Sequence, residues 1–453
     1  MSSLTSHEEE AADPTDRADR ADSSDFDVCV VGLGYVGVTL AAALLSTGKR
    51  VLGHEIDPEV AADLAQGRLR LAEPGVEDLL KESAENGTFA VTTDLAGGKL
   101  PPVAIICVGT PIEAGGTTPD LRHLRTAAES VAAAADEDTL VIVRSTVPVG
   151  TTRSLVLPLL QRRTARPLLA FCPERTIQGR ALAELLSLPQ IVGGLTDEAT
   201  KLAAGLFATV TGQVVPVSSL EAAELVKLVC NTHTDLIYGF GNEVALITET
   251  LGLDAMEIIR SANLDYPRPD INKPGFVGGS CLTKDPYLLA HSLAPHGHTP
   301  NLITAARTLN ESMPSRVGAR VLAALREQGQ DPGQATILVS GFAYKGRPET
   351  DDLRGAPYEP LLEFLRGRVA EIVGHDFVVP PARIEALGVR PASLADGFTG
   401  AHAALLLNDH PGYGELTPED LDDLIARMRP PALVYDTWRV LPPTTNVMRL
   451  GSA

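Results

Sequence analysis

Val28-Cys29-Val30-Val31-Gly32-Leu33-Gly34-Tyr35-Val36-Gly37 is an apolar run that opens straight into a GxGxxG turn. Four consecutive apolar residues suit a strand buried on both faces. Glycines at Gly32, Gly34 and Gly37 permit a tight turn, close approach of backbone to a pyrophosphate, and tight packing of helix on strand. Tyr35 and Val36 then open a helix whose first amides point at such an anion. The alanine- and leucine-rich stretch 39–45 continues that helix, and 50–54 reads as the next strand. At its tip stands Glu55, where an acidic residue accepts hydrogen bonds from the ribose hydroxyls of a dinucleotide. A carboxylate there repels a 2′-phosphate, so the expected cofactor is NAD and not NADP. Asp57, just before Pro58 and a helical pattern, reads instead as an N-cap.

The alternation continues outward from this unit. Further strands are expected at 103–108, 140–144, 168–171 and 190–193, with a helical stretch at 121–135. That pattern implies a parallel, doubly wound sheet covered on both faces. Two later strand ends carry Gly109-Thr110-Pro111 and Ser145-Thr146-Val147-Pro148-Val149-Gly150. Ligands gather at the carboxyl ends of such strands, so Thr110 and Thr146 are expected cofactor contacts; the alternative is that they cap the next helix.

A long helix is expected over 221–251, where Leu225, Leu228, Val229, Leu236, Phe240, Val244, Ile247 and Leu251 recur at helical steps. It would reach roughly 45 Å, enough to join two domains or form a dimer seam. Gly275, Gly278 and Gly279 mark an irregular turn. Strands then resume at 336–340, 369–374, 403–407 and 433–435. The fold expected is α/β, with two nucleotide-binding-like sheets joined by a helical middle.

Composition narrows the partners. At 453 residues the chain is too long for one core. Its net charge of −20 disfavours nucleic acid and anionic membrane surfaces. Residues 1–25 hold eight acidic side chains against two arginines, so 1–26 is expected to be a disordered acidic tail. Such a tail lacks the basic start of a signal peptide, and no apolar run is long enough to span a bilayer; a cytoplasmic protein is expected. The five cysteines show no disulfide or metal spacing. Cys29, Cys107 and Cys172 lie in strand-like runs and Cys230 in a helix-like run, all suited to burial, whereas Cys281 lies in the glycine turn. His291, His296 and His298 lack zinc-ligand spacing and read as a solvated helix end and loop. No metal is expected.

Three fragments suggest chemistry. Lys227 and Asn231 are i,i+4 and share a helix face. Cys281 precedes Asp285 by four residues. Glu174, in Cys172-Pro173-Glu174-Arg175, stands at a strand tip. Each has a plainer reading: Lys227 as a solvated charge, Asp285 as a cap beside Pro286, Glu174 as a partner for Arg175.

Seven ordered motifs resemble the UDP-glucose/GDP-mannose dehydrogenase family from about residue 27 to the C-terminus. They are GLGYVG (32–37), CVGTP (107–111), STVPVGTT (145–152), CPER (172–175), ELVKLVCN (224–231), PGFVGGSCLTKDPYLL (274–289) and GFAYKGRPETDDLRGAP (341–357). The resemblance implies an N-terminal Rossmann-type NAD domain (27–216), a central helical dimerisation domain with the catalytic Cys turn (217–316), and a C-terminal Rossmann-like UDP-sugar domain (317–453), assembled as a homodimer. It also implies a four-electron oxidation of a UDP-sugar at C6. Cys281 would be the nucleophile and Asp285 would help activate water. Lys227 and Asn231 would hold the oxygen at C6, and Glu174 would assist proton transfer. Lys345 and Arg354 would lie near the UDP, Arg268 would reach the partner subunit's substrate, and Arg175, Phe276 and Gly278 would line the substrate site. Gln178 stands where the UDP-glucose branch usually has a second glutamate, and 173–194 looks more like the UDP-N-acetylmannosamine branch. A UDP-N-acetylhexosamine is therefore expected ahead of UDP-glucose. The rivals are a two-electron dehydrogenase of the 3-hydroxyacid type, which needs neither the cysteine nor a second α/β domain, and a non-catalytic sensor of NAD or UDP-sugar.

Overall fold

Aliphatic runs make the strands and glycine turns the corners. The computed structural model describes residues 25–70, 73–95, 99–113, 115–442 and 447–452. The chain forms two compact units, one ending at Lys227 and the other starting at Leu228. Most of the expected acidic tail lies outside the described residues. Phe26 is buried, with the Arg50 guanidinium 5.5 Å from its ring centroid.

Among the described residues the first unit holds eight strands: β1 (Val28–Val31), β2 (Val51–His54), β3 (Phe89–Thr92), β4 (Val103–Ile106), β5 (Leu140–Val143), β6 (Leu168–Phe171), β7 (Gln190–Gly194) and β8 (Val214–Val217). Their order is β3-β2-β1-β4-β5-β6-β7-β8, so the winding reverses between β1 and β4. Helix α1 (Tyr35–Ser46) leaves β1 through the glycine turn and buries Gly37 through Leu45. β3 and β8 were not among the expected strands. Both are four-residue edge strands, and Pro216 in β8 is tolerated only because the edge leaves its missing N–H unused.

One pair departs from the expected parallel sheet: β7 runs antiparallel to β6. After β6 the chain is held near the start of α1, because buried Glu73 accepts hydrogen bonds from Gly179 N, Ala181 N and the Tyr35 hydroxyl at 2.6, 2.7 and 2.5 Å. Helix α2 (Ala181–Ser187) spans only about 10 Å. The chain therefore re-enters the sheet from the end at which it left.

Helix α3 (Leu220–Leu251) runs from the first unit into the second. In the second unit α4 (Asp285–Leu293) and α5 (Asn301–Glu327) precede six strands among the described residues: β9 (Thr336–Ser340), β10 (Glu371–His375), β11 (Arg390–Pro391), β12 (Ala403–Leu406), β13 (Leu433–Asp436) and β14 (Val447–Arg449). The order is β11-β10-β9-β12-β13-β14, with every pair parallel. Ile337, Val339 and Leu405 of this sheet pack with Met313 and Val317 of α5 in one core. No described helix is long and apolar enough to cross a membrane.

The cysteines sort by exposure. None is in a disulfide, and Cys29, Cys107 and Cys172 are buried as expected. Burial pushes each of those three thiols up to about 12, far from reactivity at neutral pH. The expected burial of Cys230 is wrong: it is exposed. Glu224, Lys227 and Leu228 turn one side of α3 inward, and the helical period carries Val229 and Cys230 outward.

Candidate active site

The cofactor end is built by the glycine turn. Gly32 has φ +88°, and a Cβ there would meet Val108 at 2.8 Å. A Cβ on Gly37 would collide with the Gly32 carbonyl oxygen, which is why the helix packs this closely only on glycine. Gly34 caps α1 without a side-chain hydrogen bond, and space above it is open for 4 Å. The first turn of α1 also has no acidic residue. An uncapped helix N-terminus behind open glycine backbone fits a pyrophosphate. The Tyr35 hydroxyl donates to Glu73, and Tyr35 and Val36 occupy the first two positions of α1.

Glu55 stands at the tip of β2 with Oε2 accepting from Leu33 N at 3.0 Å and Oε1 from Asp57 N at 3.1 Å. A carboxylate has further acceptor capacity for ribose hydroxyls. Asp57 caps the following helix through Glu59 N and Val60 N, as expected. Thr110 is buried and donates to the Thr146 carbonyl, joining the two strand-end loops. The capping alternative fails for both, since the next helical segments begin at Arg122 and Thr152.

Glu174 and Lys227 form a buried pair, with Oε2 and Nζ 3.7 Å apart. Glu174 also accepts from Thr176 N, while Arg175 turns away to the Pro189 carbonyl, so the Glu174–Arg175 pairing is not formed. Burial would raise the Glu174 carboxyl, but Lys227, Arg144 and the Thr176 contact together hold it below the usual carboxylate range. Arg144 was missed in the sequence, although a lone arginine closing Leu140-Val141-Ile142-Val143 is a signal. It is buried, donates to the Cys172 carbonyl at 3.0 Å and to Gln190 Oε1 at 2.9 Å, and so fixes the tip of β6 beside Glu174. Glu224 was also missed. One helical turn before Lys227 it accepts from Gly150 N at 2.6 Å and Thr152 N at 2.8 Å, tying the STVPVGTT loop to α3.

In the second unit Asn231 Nδ2 donates to Asp285 Oδ2 at 2.5 Å. Asp285 is fully buried at the first position of α4, and Lys284 Nζ lies 2.5 Å from its Oδ1. Lys284 was overlooked although it is adjacent in the motif. Exposed Cys281 lies in the turn leading into α4, its carbonyl accepting from Asp285 N at 2.9 Å. That turn rests on the 341–357 motif. Gly279 has φ +92° and donates to the Gly355 carbonyl at 3.1 Å, and a Cβ on it would meet the Tyr344 ring at 2.8 Å. A Cβ on Gly278 would meet the same carbonyl oxygen at 2.9 Å.

The remaining expected substrate residues are less gathered. Phe276 is buried in the core, leaving its backbone as the part that can face a ligand. Lys345 Nζ lies 5.3 Å from the Tyr344 ring centroid. Arg354 makes a forked pair with Asp352 at 2.9 and 2.6 Å. Arg268 is exposed and stacks on Tyr266, 4.9 Å from its centroid.

A dinucleotide cradle in one Rossmann-type sheet, with a second such sheet in the same chain, defines an NAD-dependent nucleotide-sugar dehydrogenase. The chain belongs to the UDP-glucose/GDP-mannose dehydrogenase family: the NAD binding domain matches residues 26–211, the central domain 221–312 and the UDP binding domain 338–443. It is 35% identical over 399 residues to the UDP-N-acetyl-D-mannosamine dehydrogenase of Pyrococcus horikoshii, covering 87% of this chain and 92% of that one. The solved structure of the UDP-D-ManNAc dehydrogenase from that organism superposes with a TM-score of 0.85 at 34% identity, covering 94% and 99% of the two chains. A UDP-glucose dehydrogenase from Pyrobaculum islandicum gives 0.80 at 25% identity, covering 94% and 98%.

Proposed function

We propose that this chain oxidises UDP-N-acetyl-D-mannosamine at its C6 alcohol to the carboxylate. The observation that carries the reading is the Asn231–Asp285 hydrogen bond, four residues from exposed Cys281 and one helical turn from Lys227. NAD, held by the glycine turn, Glu55, Thr110 and Thr146, supplies the acceptor for both hydrides. Lys227 and Asn231 donate to the oxygen on C6 and stabilise its negative charge. Glu174, kept ionised by Lys227 and Arg144, takes up the proton that the alcohol loses. An aldehyde's carbonyl carbon cannot release its remaining hydrogen as hydride until a nucleophile has added to it. The Cys281 thiolate adds to it, forming a C–S bond and a thiohemiacetal oxyanion that loses hydride to leave a thioester. Water directed by Asp285 then breaks the C–S bond, releasing carboxylate and thiolate. The balance is one alcohol, one water and two NAD⁺ giving one carboxylate, two NADH and three protons.

Lys345, Arg354, Gly278 and the Phe276 backbone are assigned to the UDP-sugar, and Arg175 to the loop that frames it. The substrate choice rests on the higher identity to the Pyrococcus horikoshii UDP-N-acetyl-D-mannosamine dehydrogenase, 35%, than to the UDP-glucose enzyme, 25%, and on Gln178. We expect kcat/KM to be highest for UDP-N-acetylmannosamine in a panel with UDP-N-acetylglucosamine and UDP-glucose. A preference for UDP-glucose would overturn the substrate and leave the reaction type standing.

A homodimer through α3 belongs to the same reading. Leu225, Leu236 and Ile247 recur every eleven residues, as do Val229, Phe240 and Leu251, making two apolar columns along about 48 Å of helix. Leu225, Val229, Phe240, Ile247 and Leu251 are 40–65% exposed, more apolar surface than one helix normally leaves to water. A second copy covers such a stripe by two-fold symmetry, and Arg268 would then serve the partner's substrate. Five cysteines with no disulfide among them suit a cytoplasmic setting.

A further inference from the structure

Arg307, Asp235, Asn310 and Asn242 are all 2% exposed or less, and they form one hydrogen-bonded chain inside the second unit. Arg307 Nη1 donates to Asp235 Oδ1 at 2.7 Å and to the Leu282 carbonyl at 3.0 Å. Asn310 Nδ2 donates to Asp235 Oδ1 and to the Asp235 carbonyl, both at 2.9 Å. Asn242 Nδ2 donates to Asn310 Oδ1 and to the Gly275 carbonyl, and Asn242 Oδ1 accepts from Gly275 N, each at 2.9 Å. On its other side Arg307 Nε lies 3.4 Å from Glu311, which accepts from the Tyr287 hydroxyl of α4 at 2.6 Å.

Stability alone is a poor account of this chain. A buried ion pair can often be replaced by apolar side chains at no loss, because desolvation offsets the attraction. What the chain does achieve is registration. Asn231, Asp235 and Asn242 lie on one face of α3 and grip the irregular segment 275–285 at three points: Asp285, Leu282 through Arg307, and Gly275. Cys281 is the residue immediately before Leu282. Its segment has no strand partner or helix of its own to fix it.

We propose that Arg307, braced by Asp235, is a positioning residue that holds the Cys281 sulfur in register with Asn231 and Asp285. The proposal rests on Cys281 being the nucleophile. Loss of the Leu282 contact would let the turn drift, and displacements near 1 Å cost about a hundredfold in rate. The drift penalises the second oxidation more than the first, because only the second needs the thiol.

The test compares wild type, Arg307→Met and Arg307→Lys, with UDP-N-acetylmannosamine and NAD, counting NADH, aldehyde and uronate and recording thermal melting. In Arg307→Met we expect uronate formation to fall on the order of ten- to a hundredfold, aldehyde to appear, and NADH per uronate to exceed two, with KM for NAD unchanged. Arg307→Lys keeps the charge beside Asp235 and should recover part of the loss. Wild-type rate and a ratio of two in both variants would overturn the proposal. So would a loss of both oxidations in step with the melting transition, which is the signature of a purely structural role. Iodoacetamide-treated wild type separates the underlying reading: if it still makes uronate once Cys281 is alkylated, the assignment of Cys281 fails instead.

Discussion

Cys281→Ala is expected to fold, bind NAD and UDP-sugar, and make uronate at a rate lower by on the order of a thousandfold or more, since removing a nucleophile from a catalytic set abolishes most of its rate. Trace aldehyde should persist, because in the proposed mechanism the first hydride loss from C6 draws on Lys227, Asn231 and Glu174 and no sulfur. The folding part of this expectation follows from position. Cys281 is exposed in a turn, and its backbone contacts, the carbonyl to Asp285 N and Lys284 N, survive the substitution. Buried Cys29, Cys107 and Cys172 cannot take over, since burial holds their thiols protonated. Product mass spectrometry decides it: uronate released at near wild-type rate by Cys281→Ala would remove the thioester route.

Lys227→Met is expected to lower kcat by about a hundred- to a thousandfold, the usual loss when a donor to a developing oxyanion is removed. It also strands Glu174 in a buried site, a change that costs about 3–5 kcal/mol when one partner of a buried pair is deleted. The pH signature gives the cause. In the wild type Glu174 lies below its ordinary range, so its contribution to stability is present above the unfolded carboxylate value and is lost as pH falls through the depressed one. Without Lys227, burial has less to oppose it and the carboxyl moves up. Stability of the variant then falls as pH rises through that higher value, opposite in sign to the wild type. Melting temperature measured from about pH 2 to 7 reads the difference, and parallel curves for the two proteins would show that Lys227 does not hold Glu174 ionised.

Much of this was legible in the sequence because the signals were local. Val28 through Gly37 encode strand, turn and helix within ten residues, and Asp57-Pro58 encodes a cap, so both could be read without the rest of the chain. Lys227 and Asn231 share a face by helical arithmetic alone. What escaped notice depends on distant partners. The antiparallel β7 follows from Glu73 gripping Gly179 and Ala181, more than a hundred residues away. Cys230 sits among apolar neighbours in sequence, yet the face it occupies is set by what packs against Glu224 and Lys227. Asp235 and Arg307 are 72 residues apart, and neither stands out until the fold brings them to 2.7 Å. Lys284 was visible and passed over, because a lysine beside an aspartate reads as ordinary surface charge.

The most direct measurement is the number of NADH formed per molecule of UDP-N-acetylmannosamine consumed to completion by the wild type, read by absorbance against chromatographically quantified sugar nucleotide. Oxidation of an alcohol to a carboxylate through Cys281 requires two. A value of one, with the aldehyde as the end product, would contradict the four-electron reaction.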